Sequence, residues 1–131
     1  MDLGIAGKTA IVAAASKGIG KAVALGLAGE GANISICSRN YSDLLQTASE
    51  IESCCPSSKV LPVAADVTNP QDVKRLVQQT ADKFQRIDIL ITNAGGPPSG
   101  HFMGFTDDDW ESAFKLNLLS TVRLCRETVP H

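Results

Sequence analysis

Two patterns of apolar residues alternate along the chain. Short apolar runs, typical of strands buried on both faces, lie at residues 8–14, 32–38, 59–65 and 87–92. Elsewhere apolar residues return every three or four positions, which predicts helices over residues 18–29, 42–54, 70–84 and 106–128. Four strands that each precede a helix predict a parallel sheet with helices on both faces.

The position of Pro62 in the third strand predicts the order of the strands. Because proline has no N–H to donate to a ladder, this strand is expected at an edge of the sheet. Together with right-handed crossovers, this predicts the order 3-2-1-4 in an α/β, Rossmann-like, doubly wound fold. Such sheets bind ligands beyond the carboxyl ends of the strands where the order reverses, here between strands one and four.

A turn of small residues joins the first strand to the first helix. Its candidate cofactor-binding residues are Ala14, Ser16, Lys17, Gly18, Ile19 and Gly20. Because a helix N-terminus presents unpaired N–H groups and about half a positive charge, such a turn can bind an anion. Gly18 can adopt a backbone angle that side chains disfavour, and Gly20 lets the helix pack closely on the strand. We predict that the turn holds the pyrophosphate of a dinucleotide; the alternative is a turn without a ligand.

The second strand ends at Ser38, Arg39 and Asn40, where a dinucleotide-binding domain contacts the adenosine ribose. Domains that prefer NAD usually carry Asp or Glu here, whereas Arg39 offers planar donors that suit a phosphate. Lys17 in the preceding turn adds a second positive charge. These residues predict NADP(H) as the cofactor; the alternative is that Arg39 is a solvated loop charge.

Further polar positions follow strands three and four. Asp66, which precedes Val67, can accept a hydrogen bond from the exocyclic amine of adenine or can cap the following turn. Asn93 can join neighbouring strand ends through its amide, while Ala94 and Gly95 are small enough for a ribose to approach the backbone. These positions all belong to the edge where the predicted sheet binds its ligands.

Asn117 is the candidate catalytic residue of the last predicted helix. Thr106, with Asp109 three residues on, forms the signature of a capping box and predicts where the helix begins. The predicted apolar face consists of Trp110, Ala113, Phe114, Leu118 and Thr121. Asn117 falls on this face, where an unpaired amide would cost about 1–3 kcal/mol. It is either a satisfied core amide or an asparagine that positions a water molecule for proton relay.

Composition and charge exclude several classes of function. The 131 residues carry a net charge of −2 without a basic stripe, so we predict no nucleic-acid partner. No apolar run approaches the about 20 residues of a membrane span, and no signal-peptide pattern is present, which predicts a cytoplasmic protein without membrane association. The four cysteines, none in C-x-x-C spacing, are expected to be reduced, and no metal site is expected.

Four motifs in this order resemble those of the short-chain dehydrogenase/reductase family. They are T-G-x-x-x-G-x-G over residues 13–20, D-[VL] over Asp66 and Val67, N-N-A-G over residues 92–95, and the helix asparagine over Asn117. Ala13 and Ala14 replace the Thr and the first Gly of the family, and Thr92 replaces its first Asn. If the methyl group of Ala14 does not fit the turn, dinucleotide affinity is expected to fall. The chain is most similar to the 3-oxoacyl-acyl-carrier-protein-reductase-like group.

The resemblance implies that residues 1–131 form the NADP(H)-binding N-terminal part of a single Rossmann-like domain. Such an enzyme transfers hydride to or from a carbonyl or alcohol substrate. Its serine and Tyr-x-x-x-Lys pair are expected beyond this chain, since the only tyrosine, Tyr41, has Leu45 four residues on. The chain alone, truncated before strand five, is therefore expected to be inactive, with strand four as an apolar edge.

Two alternatives stand beside this interpretation. One is a non-catalytic dinucleotide-binding module, and the other is a flavodoxin- or response-regulator-like domain without a nicotinamide ligand. The resemblance also implies a homo-oligomer, with the last helix in the interface between subunits. The substrate cannot be read from these residues beyond a small carbonyl or alcohol.

Overall fold

Four parallel strands form the centre of the computed structural model, which describes residues 2–131. They are β1 (Thr9–Val12), β2 (Asn33–Ser38), β3 (Val60–Ala64) and β4 (Ile89–Ile91). They lie in the order β3-β2-β1-β4, and every neighbouring pair is parallel. The predicted order is confirmed, with Pro62 in an edge strand as its missing N–H requires.

The helices follow the predicted spacing, with one interruption. They are α1 (Gly18–Gly29), α2 (Tyr41–Cys54), α3 (Pro70–Phe84), α4 (Asp107–Phe114) and α5 (Ser120–Thr128). A short 3₁₀ turn covers Phe102–Gly104, and a π-helical segment at Lys115–Leu119 separates α4 from α5. The capping box at Thr106 is present, so α4 begins as predicted, and the helical backbone continues to Thr128 with the π-helical segment in its middle.

The two faces of the sheet carry separate apolar layers, because successive strand residues point to opposite sides. In β1, Ala10 and Val12 pack with the residues of α1 and α2, while Ile11 packs with those of α3 and α5. Helices therefore cover both faces, which confirms the doubly wound arrangement. Because the strands are parallel, the carboxyl ends of all four lie on one side of the domain.

The apolar face predicted for the last helix is wrong. The residues that pack toward the sheet are Leu116, Ser120, Leu124 and Thr128, which recur every four positions. Trp110, Phe114 and Leu118 are instead 53%, 51% and 50% exposed. A π-helical turn is wider than an α-helical one, so residues before and after it do not share one regular stripe.

No helix among residues 2–131 combines the length and the apolar character that crossing a membrane requires.

Candidate functional site

A cavity of about 910 Å³ opens at the carboxyl ends of the strands. Of the predicted cofactor-binding residues it is lined by Ala14, Ser16, Lys17, Ile19, Ser38, Arg39, Asn40, Asp66, Val67, Asn93, Ala94 and Gly95. Gly18 and Gly20 do not line it, because they act through the backbone of the turn beneath it. The volume lies in the range of small-molecule and cofactor sites.

Two glycines allow α1 to begin close to the end of β1. Gly18 has a φ of 59°, a left-handed conformation that glycine adopts without strain. A Cβ built on Gly20 would collide with the carbonyl oxygen of Ala14 and lie 2.9 Å from the Cα of Ala15. The roles predicted for both glycines are present, and the helix N-terminus faces the cavity side of the sheet.

Backbone hydrogen bonds hold the turn between the two neighbouring strands. The N–H of Ala13 donates to the carbonyl of Ile91 at 3.1 Å, and the N–H of Ala15 donates to the carbonyl of Cys37 at 3.0 Å. The turn is therefore anchored both to β4 and to β2. A loop held in this way keeps its N–H groups in place before any ligand arrives.

Two side chains complete the anchoring of the turn. The amide Nδ2 of Asn93 donates to the carbonyl oxygen of Ala14 at 3.2 Å, so it joins the end of β4 to the turn as predicted. The hydroxyl of Thr47, buried in α2, donates to the carbonyl oxygen of Ser16 at 2.9 Å. Sequence reasoning missed Thr47, whose only signal was a polar residue beside the apolar face of α2.

Ala14, which stands at the first glycine of the family motif, has a left-handed backbone conformation. Its φ is 49°, in the left-handed region, where a Cβ costs roughly 1–2 kcal/mol. Its methyl group lines the cavity without closing it, whereas Ala13 is buried in the layer beneath α3 and α5. The turn thus accommodates an alanine at this position with local backbone strain, and Ala14 lines an open cavity.

Cys37 lies directly beneath this turn and is fully buried. Burial raises the pKa of its thiol to about 11, and the backbone N–H of Ala14 only partly offsets this shift. The thiol is therefore neutral at physiological pH. It packs as an apolar residue and supplies no nucleophile.

The end of β2 presents Arg39 to the cavity. The neighbouring polar side chains are already used, because Ser38 Oγ donates to the Asn40 carbonyl at 2.9 Å and Asn40 Oδ1 accepts from the Asp43 N–H at 3.2 Å. Arg39 is exposed and lines the opening together with Lys17. The cavity thus has two cations at its mouth, as the sequence predicted.

Asp66 faces the cavity from the end of β3. Its Oδ1 accepts hydrogen bonds from the Thr68 N–H at 2.9 Å and the Thr68 hydroxyl at 2.7 Å. Partial burial raises the pKa of this carboxyl, but the bonds from Thr68 and the charge of Arg39 outweigh it and hold the pKa below its usual range. Asp66 is therefore a carboxylate at neutral pH, and it both caps the turn and lines the cavity.

Asn117 is exposed, not buried as predicted. It lies in the π-helical segment, and its Nδ2 donates to the carbonyl oxygen of Ala113 at 3.0 Å, one turn back along the same helix. Its neighbour Leu116 lines the cavity and was missed by sequence reasoning, although Leu116 begins the buried row of the last helix. Asn117 thus lies beside the cavity but not among its lining residues.

A parallel sheet of order 3-2-1-4, with a glycine turn and a helix N-terminus at the point of reversal, defines a Rossmann-like fold. The family model described as short chain dehydrogenase matches residues 8–131, and the chain belongs to that family. The resemblance carried by the four motifs is therefore confirmed.

Curated relatives support the same family. The chain is 36% identical over 126 residues to dehydrogenase/reductase SDR family member 4 of Caenorhabditis elegans, a match that covers 95% of this chain and 48% of the relative. It is 36% identical over 124 residues to a 3-oxoacyl-[acyl-carrier-protein] reductase of Synechocystis sp., covering 93% of this chain and 49% of the relative. The chain thus spans about half the length of these relatives.

Among solved structures, L-sorbose reductase from Gluconobacter frateurii, complexed with NADPH and L-sorbose, matches with a TM-score of 0.93 and 37% sequence identity. The match covers 99% of this chain and 49% of the reductase. The cofactor of that complex agrees with the one predicted here from Arg39.

Proposed function

We propose that this chain is the NADP(H)-binding part of a short-chain oxidoreductase that transfers hydride to or from a carbonyl or alcohol substrate. One observation carries the proposal: a single cavity collects the turn before α1, the cations at its mouth, and the ends of β3 and β4. Family membership and the NADPH complex of the sorbose reductase support it.

The turn fits the pyrophosphate of a dinucleotide. Gly20 brings the first turn of α1 against the backbone of Ala14 and Ala15, where any side chain would overlap. The N–H groups at this helix N-terminus would face the phosphates, and the partial positive charge of the helix would favour them. The bonds from Asn93 and Thr47 hold this cradle in shape.

The cations at the mouth fit a 2′-phosphate. Arg39 has no salt-bridge partner among residues 2–131 and would bind the phosphate through its planar N–H donors. Lys17 would add a second positive charge from across the opening. An acidic residue in the place of Arg39 would instead favour the free 2′-hydroxyl of NAD.

The remaining walls fit the base and the ribose. One carboxylate oxygen of Asp66 is taken by Thr68, and the other has no hydrogen-bonding partner among residues 2–131, so it would accept from the exocyclic amine of adenine. Val67 would pack on the base, and Asn93, Ala94 and Gly95 would let a ribose approach β4.

When bound, the reduced nicotinamide supplies the hydride. Asn117 would act in proton relay by positioning a water molecule, since its side-chain oxygen remains available while its Nδ2 bonds Ala113. The only tyrosine, Tyr41, begins α2 and has Leu45 at the position of a paired lysine. This observation favours the second candidate for the chain by itself, a dinucleotide-binding module that does not turn over.

A homo-oligomer in the cytoplasm completes the proposal. Trp110, Phe114, Leu118 and Val122 lie exposed along the last helix, and burial against another subunit would remove this apolar surface from water. A small-molecule substrate, without nucleic acid or membrane, is the expected partner. The four free cysteines are consistent with a reducing compartment.

Calorimetric titration with NADPH and NADH tests the cofactor assignment. The substitution Arg39→Asp should weaken NADPH relative to NADH by at least about tenfold, or roughly 1.4 kcal/mol. Arg126→Asp, at an exposed position of α5 away from the cavity, is the control and should leave the ratio unchanged. No saturable NADPH binding by the unsubstituted chain would overturn the proposal, and ketone turnover by the chain would remove the non-catalytic candidate.

A further inference from the structure

Arg123 joins the last helix to the wall of the cavity. Its Nη1 donates a hydrogen bond of 2.9 Å to the carbonyl oxygen of Thr68, across 55 positions of the sequence. The residue is half-buried, and it has no salt-bridge partner within the part of the chain that the structure describes. The guanidinium therefore acts here through a charged hydrogen bond to the backbone, which is stronger than a neutral one.

The loop that Arg123 holds is itself a closed unit. Asp66 binds both the N–H and the hydroxyl of Thr68, and the N–H of Asp66 donates to Asp72 Oδ2 at 2.9 Å. Val67, between them, is buried in the same apolar layer as Leu124 of α5. A displacement of Thr68 would thus carry Asp66 and Val67 with it, and both of these line the cavity.

The last helix also reaches the cavity directly. Leu116, seven residues before Arg123, lines the cavity. Asn117 follows Leu116 directly. The bond from Arg123 to Thr68 therefore ties the last helix, which also carries Leu116 and Asn117, to the loop that contains Asp66 and Val67.

We propose that Arg123 is a positioning residue for the adenosine half of the cofactor. Arg123 holds Thr68 in place. Thr68 in turn holds Asp66 and Val67 in the positions where they would contact the adenine base. This inference rests on the proposed function, since it takes the wall at Asp66 as the base-binding side. The inference comes from the contact between Arg123 and Thr68 in this structure, because none of the four motifs includes Arg123.

Titration of Arg123→Met with two ligands tests the inference. Methionine keeps an apolar stem but removes the donors, so NADPH should bind about tenfold more weakly. Reduced nicotinamide mononucleotide, which lacks adenosine, should bind as before. Arg123→Lys should recover part of the loss, and Arg126→Met, on the exposed side of the same helix, should change neither affinity. An unchanged NADPH affinity, or an equal loss for both ligands, would overturn the inference.

Amide hydrogen exchange on the ligand-free chain separates this inference from the proposed function. The Arg123→Met substitution should speed exchange at residues 67–69 about tenfold while the amides of β1 keep their protection. If exchange at residues 67–69 stays at the unsubstituted rate, Arg123 does not hold this loop, whether or not NADPH binds. If exchange becomes faster in a chain that fails to bind NADPH, the role of Arg123 in holding the loop stands and the cofactor proposal is wrong.

Discussion

The turn at residues 13–20 and the helical region at residues 106–128 meet the same cavity but are held in opposite ways. The turn is fixed by hydrogen bonds from both neighbouring strands and from Thr47 and Asn93. The helical region contributes Leu116 to the cavity but leaves half of its large apolar side chains in water. The cavity thus lies between a turn that is anchored on both sides and a helix whose outer apolar surface is unpartnered within residues 2–131.

The difference shows where local chemistry determines structure and where packing partners do. In the turn, steric limits restrict a few backbone angles, and leaving a buried polar group unpaired would cost free energy. Together these constraints allow few conformations. In the last helix, several rotations about the helix axis would each bury a different apolar row.

Gly20→Ala should destabilise the turn more than the addition of a methyl group at any other position of the turn. The added Cβ would overlap backbone atoms of Ala14 and lie 2.9 Å from the Asn93 amide, and backbone cannot move aside cheaply. We expect a loss of about 3 kcal/mol or more in the free energy of unfolding, measured by urea denaturation. Gly26→Ala is the matched control.

Gly26 lies in the same helix with no atom near its missing Cβ. Alanine there should stabilise the chain by about 0.5–1 kcal/mol, because glycine in a helix interior is unfavourable. If both substitutions changed the unfolding free energy equally, the close contact of Gly20 with the turn would not be needed for stability.

In the last helix, Leu124→Ala and Leu118→Ala form a matched pair. Leu124 is 1% exposed, whereas Leu118, which the sequence pattern placed on the apolar face, is 50% exposed. We expect the first substitution to cost about 2 to 3 kcal/mol of unfolding free energy and the second less than about 0.5 kcal/mol, again by urea denaturation. A larger loss at Leu118 would show that the apolar face predicted from the sequence is the buried one.

Much of the fold was readable because its signals are local. Pro62 predicted the edge strand through its missing N–H, and Thr106 with Asp109 predicted the start of α4 through reciprocal hydrogen bonds. The lining of the cavity followed from strand ends, which parallel topology places together. These features depend on nearby residues or on a general rule of sheet geometry.

The rest depended on tertiary contacts that no periodicity contains. The π-helical segment that carries Asn117 has no sequence signal, and Leu116 and Leu124 pack toward the sheet in place of the predicted apolar row. The helical spacing placed Trp110 on the predicted apolar face, yet it is half exposed and packs edge-on against Phe102 and Phe105. Arg123 and Thr47 act through backbone carbonyls that are distant in sequence.

Ala14→Gly should strengthen the turn by a smaller amount. Glycine would relieve the left-handed strain at φ 49°, but it also gives the unfolded chain more freedom, so the net gain should be about 0.5–1 kcal/mol. Ala22→Gly, at an exposed position inside α1, is the control and should lose about 1 kcal/mol. Urea denaturation of both variants gives the comparison, and a loss at Ala14 would contradict strain in the turn.

The smallest expected effect is the pH dependence that Asp66 contributes. Partial burial raises its pKa, but Thr68 and Arg39 lower it further, so the folded-state pKa lies below that of the unfolded chain. The carboxylate therefore stabilises the folded chain above the unfolded value of about 4, and this contribution is lost as the pH falls through the folded-state pKa. Solvent screening keeps it below the substitution effects described above.

Asp66→Asn isolates this contribution, since asparagine can still accept from Thr68 but carries no charge. The unfolding free energy of the variant, measured by urea denaturation between pH 6 and pH 3, should fall less steeply than that of the unsubstituted chain. Thr68→Val removes one of the two donors and should flatten the dependence partway. If all three chains lose stability in parallel, the loop at Asp66 does not depend on its charge. The loop at residues 66–68 would then be held by Arg123 and Leu124 of α5, and not by its own hydrogen bonds.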